Sequence, residues 1–184
     1  MKNVILSVFI LLVGFAQAQN KKVDVAKSSI QWIGKKVTGE HSGTINFQEG
    51  MLIFKGKKVA GGNFTVDMTS INTTDLTGEW KAKLDGHLKA DDFFGTDKFK
   101  TATLKFTKIA DKGNGVYGVT ADLTIKGITK PINFDLNVKG NSASANLVVD
   151  RSKYDIKYGS KSFFEGLGDK TIYDDFELKV NLVF

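Results

Sequence analysis

The amino-acid sequence predicts an all-β protein, an antiparallel barrel of about eight strands with one short helix in a lid segment. Three observations carry this reading. Apolar and polar residues alternate through most of the chain, as on strands with one buried face. Glycine-rich turn signals separate these runs at short spacing. One stretch breaks the pattern: Trp80, Leu84 and Leu88 recur every four residues, the stripe of an amphipathic helix.

Runs at 31–37, 44–47 and 51–54 open the set of strands, with turn signals at Gly39, Gly50 and Gly61-Gly62. In the next run Phe64, Val66 and Met68 alternate with Asn63, Thr65 and Asp67. The helix is predicted over 78–89 and is followed by Asp92-Phe93-Phe94. Four further strands carry Ala102, Leu104 and Phe106; Tyr117 to Ile125; Ile132 to Val138; and Phe176 to Phe184, every second residue apolar. A small-residue strand over 143–149 completes a count of about eight, the number at which a closed barrel holds one small ligand. Turns fall at Gly113-Asn114-Gly115, Lys126-Gly127 and Gly140-Asn141. Clean alternation belongs to antiparallel sheets, and closure removes their exposed edges.

Residues 1–18 carry Lys2, an apolar run from Val4 to Phe15, and then Ala16-Gln17-Ala18. That order is a secretory signal, too short for a membrane-spanning helix. The expected mature protein is a single domain over 19–184, periplasmic or secreted. The chain has no cysteine, so disulfides, thiol catalysis and cysteine-held zinc are excluded. A net charge of +6 is spread without blocks, which points away from nucleic acid and allows weak contact with an anionic membrane surface.

Neither HExxH nor GxSxG occurs, so neither zinc hydrolysis nor serine chemistry has its local geometry. The chain is read as a binding protein without metal or catalytic residues, not as an enzyme. An enzyme using His87 with Asp91 or Asp92 as acid and base is the weaker alternative. His87 stands beside the apolar stripe of the helix, where its ring would offer a hydrogen bond to the head of a bound lipid. Adjacent rings on a strand face opposite sides, so Phe93-Phe94 and Phe163-Phe164 are read as gates covered by a lid or ligand. Asp150-Arg151 is read first as an ion pair fixing a barrel corner and second as a phosphate anchor. A small outer-membrane barrel is a further alternative, since alternation alone does not say which face is apolar.

Five segments in order resemble the YceI-like proteins, exported lipid- or polyisoprenoid-binding barrels: His41-Ser42-Gly43, GGNFTVDMTSI over 61–71, LDGHLKADDFF over 84–94, ADLTIKGITKPI over 121–132, and DRSKYDI over 150–156. The resemblance implies an extended, lipocalin-like, eight-stranded antiparallel barrel around an apolar tunnel, no cofactor beyond a bound lipid or isoprenoid, and often a homodimer. The ligand would be a polyisoprenoid, an isoprenoid quinone or a fatty-acid-like lipid. Its expected contacts are Phe64, Met68, His87, Leu88, Phe93, Phe94, Leu104, Phe106, Leu123, Phe134, Phe163 and Phe164. Two positions differ from the family pattern. Lys100 stands where proline is common and loosens the approach to the next strand, and Ala121 adds a methyl where glycine is common.

Overall fold

Alternation of apolar residues makes the sheet and decides which face it buries. In a computed structural model, residues 18–184 are described; the leader read over 1–18 lies outside them except for Ala18. Among the described residues nine strands form: β1 (Ala18–Lys22), β2 (Ser29–Lys36), β3 (Gly39–Lys55), β4 (Lys58–Thr73), β5 (Thr101–Gly113), β6 (Val116–Ile125), β7 (Ile128–Lys139), β8 (Ser142–Asp150) and β9 (Ile172–Val183). A helix, α1 (Gly78–Lys89), lies between β4 and β5, over the predicted span. The antiparallel order β3-β2-β9-β8-β7-β6-β5-β4 returns to β3, closing an eight-stranded barrel. The short β1 pairs with the second half of β3, from Met51 to Lys55.

β6 is the cleanest case of alternation deciding burial. Tyr117, Val119, Ala121, Leu123 and Ile125 are all buried, while the residues between them are only half covered. On β8 the buried set is Ala143, Ala145, Leu147 and Val149. On β7 the outward positions Asn133, Asp135, Asn137 and Lys139 are exposed. The barrel therefore has an apolar interior and a polar exterior.

Two predicted turns are strand interior instead. Gly50 lies within β3 opposite Phe64, and Gly61 and Gly62 lie within β4 opposite Ile53 and Leu52. Gly50 and Gly62 make room for rings. A Cβ at Gly50 would stand 2.8 Å from the Phe64 ring, and one at Gly62 2.8 Å from the Phe106 ring. The actual β3–β4 turn is Gly56-Lys57, so the runs at 44–47 and 51–54 are one strand. Its pairing with β4 shifts register three times between Gly43 and Lys55, the bulges by which a long ribbon coils into a wall.

The predicted turns at Asn114-Gly115 and Lys126-Gly127 form, with both residues of each at positive φ: 52° and 79° in the first, 50° and 74° in the second. This is the two-residue hairpin whose twist matches the strands it joins. The approach to β5 is held at Lys100, whose carbonyl accepts the Met68 N–H at 2.9 Å.

The chain that leaves the sheet collects at one end: α1 and residues 90–100 between β4 and β5, and residues 151–171 between β8 and β9. The helix packs apolar side chains on the core only from its C-terminal half. Leu88 is buried and Leu84 partly so, but Trp80 is 70% exposed with the Lys83 ammonium over its ring. The stripe read from the sequence thus overstates the packed face by one turn.

Crowding at the closing seam yields a test. A Cβ at Gly43 would lie 2.1 Å from the Asn72 carbonyl oxygen and 2.5 Å from the Trp32 ring. Gly43→Ala is expected to cost about 3 kcal/mol, the upper end of ordinary overpacking. Gly86→Ala on α1 meets nothing within 4 Å and is expected to add about 0.5–1 kcal/mol from helix propensity. Urea unfolding of the two variants measures both.

Candidate lipid-binding site

Eight strands enclose more width than the inward side chains fill, and the remainder is two apolar compartments. The one beneath the lid measures about 140 Å³, and the deeper one about 90 Å³. They share wall residues Ile30, Val66, Ala102, Leu123 and Leu178. Along β9 the wall passes from Ile172 and Phe176 at the lid end, through the shared Leu178, to Val180 and Leu182. The compartments therefore follow one another along the barrel.

Nine of the twelve residues expected at the ligand line this space. Met68, Leu88, Phe93 and Phe94 border the lid-end compartment. Phe64, Leu104, Phe106 and Phe134 border the deeper one, and Leu123 borders both. Tilted and edge-on ring contacts run from Phe47 through Phe64 and Phe106 to Phe134, with centroids 5.6–6.3 Å apart, arrangements that aromatic rings prefer to face-to-face stacking.

The other three lie elsewhere. His87 lines neither compartment: it sits behind Phe93, at 5.5 Å between ring centroids, and against Tyr158 at 4.3 Å. The ring therefore packs within the lid, and its Nε2 is buried there without a hydrogen-bond partner. Asp91 pairs with Lys98 at 2.6 Å instead of with His87. Phe163 and Phe164 are 44% and 49% exposed and do not border the space. Their loop turns away because Ser160 is wholly buried and the Ser162 hydroxyl donates to Asp174 at 2.6 Å.

Arg151 is the cation that sequence reasoning did not bring to the wall. It is 2% exposed and borders the lid-end compartment, yet its polar atoms turn outward. Nε donates to the Tyr173 carbonyl at 3.2 Å, Nη1 to Ile156 at 3.0 Å and Nη2 to Ile172 at 3.1 Å. Its acidic neighbour is Asp174, 3.4 Å away. Asp150, the partner read from the sequence, caps the following turn by accepting from Ser152 at 3.0 Å and pairs with Lys153. Burial lowers the Arg151 guanidinium below its ordinary value, and Asp174 and Asp150 partly offset this. The guanidinium also lies over the Phe93 ring, 5.6 Å from its centroid, where the two attract. What faces the interior is therefore carbon. The missed Ile30 and Leu178 were legible as inward positions of alternating strands, while the turn of Arg151 away from the interior has no sequence signal.

Two carboxylates, Asp75 and Asp85, tie the segment that leaves β4 and the helix after it to the rim. His41 Nδ1 lies 2.8 Å from Asp75, which also accepts the Ser42 N–H at 3.0 Å. On α1, Asp85 accepts the Thr73 N–H at 2.7 Å and pairs with Lys81. Burial alone would raise the Asp85 carboxyl, but its bonds to Lys81 and Thr73 outweigh this and hold it below its ordinary 3.8. A carboxyl lowered in the folded state adds stability above the unfolded value and loses it as pH falls through the folded one. Asp85→Ala is thus expected to cost about 1–3 kcal/mol at neutral pH. The gap from wild type should narrow as pH drops below 3.8, read by urea unfolding across a pH series.

Known proteins bear out this architecture. The family model for the YceI-like domain matches residues 22–184. A UPF0312 protein of Vibrio campbellii is 38% identical over 100 residues, 53% of this chain and 50% of that protein. One from Shewanella denitrificans is 38% identical over 98 residues, again 53% of this chain, and 49% of that protein. The chain spans about half the length of the curated relatives it matches. Among solved structures, BcnA of Burkholderia cenocepacia superposes with a TM-score of 0.70 at 22% identity, covering 88% of this chain and 99% of that one. A polyisoprenoid binding domain from Saccharophagus degradans, implicated in plant cell wall breakdown, superposes with a TM-score of 0.59 at 16% identity, covering 88% and 95%. The match to the family model takes in every strand of the closed barrel and the helix of its lid, and the chain belongs to the YceI-like domain family.

Proposed function

We propose that this protein binds one long apolar chain inside the barrel and carries or sequesters it. The adjacency of the two compartments, which share Ala102, Leu123 and Leu178 in their walls, carries the reading. A wall of carbon offers a ligand nothing but burial, worth about 0.8 kcal/mol per methylene. Selectivity then follows chain length and girth more than head-group chemistry. A polyisoprenoid, an isoprenoid quinone or a fatty-acid-like lipid meets that description. The similar structure described as a polyisoprenoid binding domain supports the first of these. The signal-like residues 1–18 favour export, with the carrier acting in the periplasm or outside the cell.

A barrel spanning an outer membrane would turn an apolar band outward and keep polar residues within. Here Asn133, Asp135, Asn137 and Lys139 face out on β7 while Ile132 and Leu136 are buried, the reverse arrangement. The carrier reading is preferred on that ground.

Organic extraction of the purified protein followed by mass spectrometry should yield a long-chain lipid. Ala102→Leu, at the junction of the compartments, is expected to displace roughly three buried methylenes. That amounts to a tenfold to hundredfold loss of affinity, on the order of 0.8 kcal/mol for each, with shorter chains favoured in the extract. A barrel recovered empty in repeated preparations would contradict the proposal.

A further inference from the structure

The two hairpins with paired positive φ make an internal comparison. At β5–β6 the turn is Asn114-Gly115, and at β6–β7 it is Lys126-Gly127 in almost the same conformation. Asparagine followed by glycine is the preferred pair, because asparagine tolerates the left-handed region that other side chains enter at a cost. The chain meets that cost with lysine at the second hairpin, the one at the lid end of the barrel. Nothing in the turn itself requires an ammonium group.

The ammonium is used across the mouth. Lys126 Nζ donates to the Phe93 carbonyl at 2.8 Å and to the Asp91 carbonyl at 3.1 Å. Both carbonyls belong to the turn that follows α1, whose Phe93 and Phe94 side chains border the lid-end compartment. The same turn is otherwise closed on itself: Phe94 N–H donates to the Leu88 carbonyl at 3.2 Å and Gly95 N–H to Ala90 at 2.8 Å. From the 151–171 side, Arg151 meets it through the face of the Phe93 ring. Lys126 therefore supplies the direct hydrogen bonds between this turn and a barrel hairpin among the described residues, and an asparagine at that position is too short to do so.

We propose that Lys126 is a latch: a positioning residue that holds the Phe93-Phe94 turn closed over the lipid compartment and sets the rate at which the ligand enters and leaves. The proposal rests on the lipid-binding reading above and adds to it the place where the barrel opens. The latch acts through the lid and touches no ligand, so its removal alters exchange rates more than equilibrium affinity. Opening swings the Phe93-Phe94 turn away from the β6–β7 hairpin, with α1 remaining tied to the rim through Asp85 and Thr73.

Lys126→Asn tests this without endangering the fold, because it installs the preferred hairpin residue. The purified protein is loaded with a fluorescent long-chain fatty acid, and release into excess phosphatidylcholine vesicles is followed by stopped flow. The variant is expected to release the probe at least tenfold faster, with the dissociation constant changed less than threefold. Lys126→Arg, which retains a cationic donor of similar reach, is expected to restore most of the wild-type rate. Amide hydrogen exchange provides a second measurement that needs no ligand: the N–H groups of Phe94 and Gly95 should exchange at least tenfold faster in Lys126→Asn, while those of β6 keep their protection. Unchanged exchange at Phe94 and Gly95 would overturn the latch. So would an unchanged release rate from a loaded variant. Failure of the wild-type protein to take up the probe would count against the lipid-binding reading, and the exchange measurement would still decide whether Lys126 holds the turn.

Discussion

Closure of the barrel depends on the seam between β3 and β4, and the interior takes its shape from that seam. The two strands pair from Gly43 and Thr73 to Lys55 and Lys58, around three shifts of register. A Cβ at Gly43 would collide with the Asn72 carbonyl, and one at Gly62 with the Phe106 ring. The wall is thus thin where it must curve, and the rings of Phe64 and Phe106 occupy the room the glycines leave. Once eight strands close, the inward residues no longer meet at the centre. A space bordered by carbon remains because the fold is a barrel, without any polar residue having to define it.

The lid keeps that space apolar while still using charge. Arg151 sits at the wall, but the backbone carbonyls of Tyr173, Ile156 and Ile172 take its donors. Such an arginine joins residues 151–171 to β9 and lends Phe93 its aromatic-face contact. Asp85 does the equivalent work for α1, joining it to β4 at Thr73. Both groups spend their polarity on backbone, which is expensive to leave unpaired when buried. The interior is left to dispersion and the hydrophobic effect, forces that distinguish ligands by length and shape.

Much of this was legible from residues alone, for reasons tied to the period of each element. Alternation on β6 and β8 specifies their inward faces because a strand has only two faces, and Phe64, Met68, Leu104, Phe106, Leu123 and Phe134 line the cavity for the same cause. The bounds of α1 followed from a change of period. Where the reading failed, a residue type served two purposes. Gly50 and Gly62 admit neighbouring rings instead of turning the chain, and a sequence does not display what lies across a sheet. Trp80 shares the stripe of Leu84 and Leu88, yet only the latter two pack against the core. His87 was assigned to the interior from its place beside the helix stripe and Phe163-Phe164 from the pairing of adjacent rings, whereas loop geometry held by Ser160 and Ser162 and the packing of Phe93 decide their places.

The central claim is that a single apolar chain runs through both compartments. Isotope-edited NMR on protein loaded with a long-chain lipid tests it at the junction, through contacts between lipid protons and the methyl groups of Ala102, Leu123 and Leu178. The account predicts contacts from one ligand to all three, and further contacts to Met68 at the lid end and Leu182 at the far end. Contacts confined to residues on the outer face, or to the lid compartment alone, would contradict it.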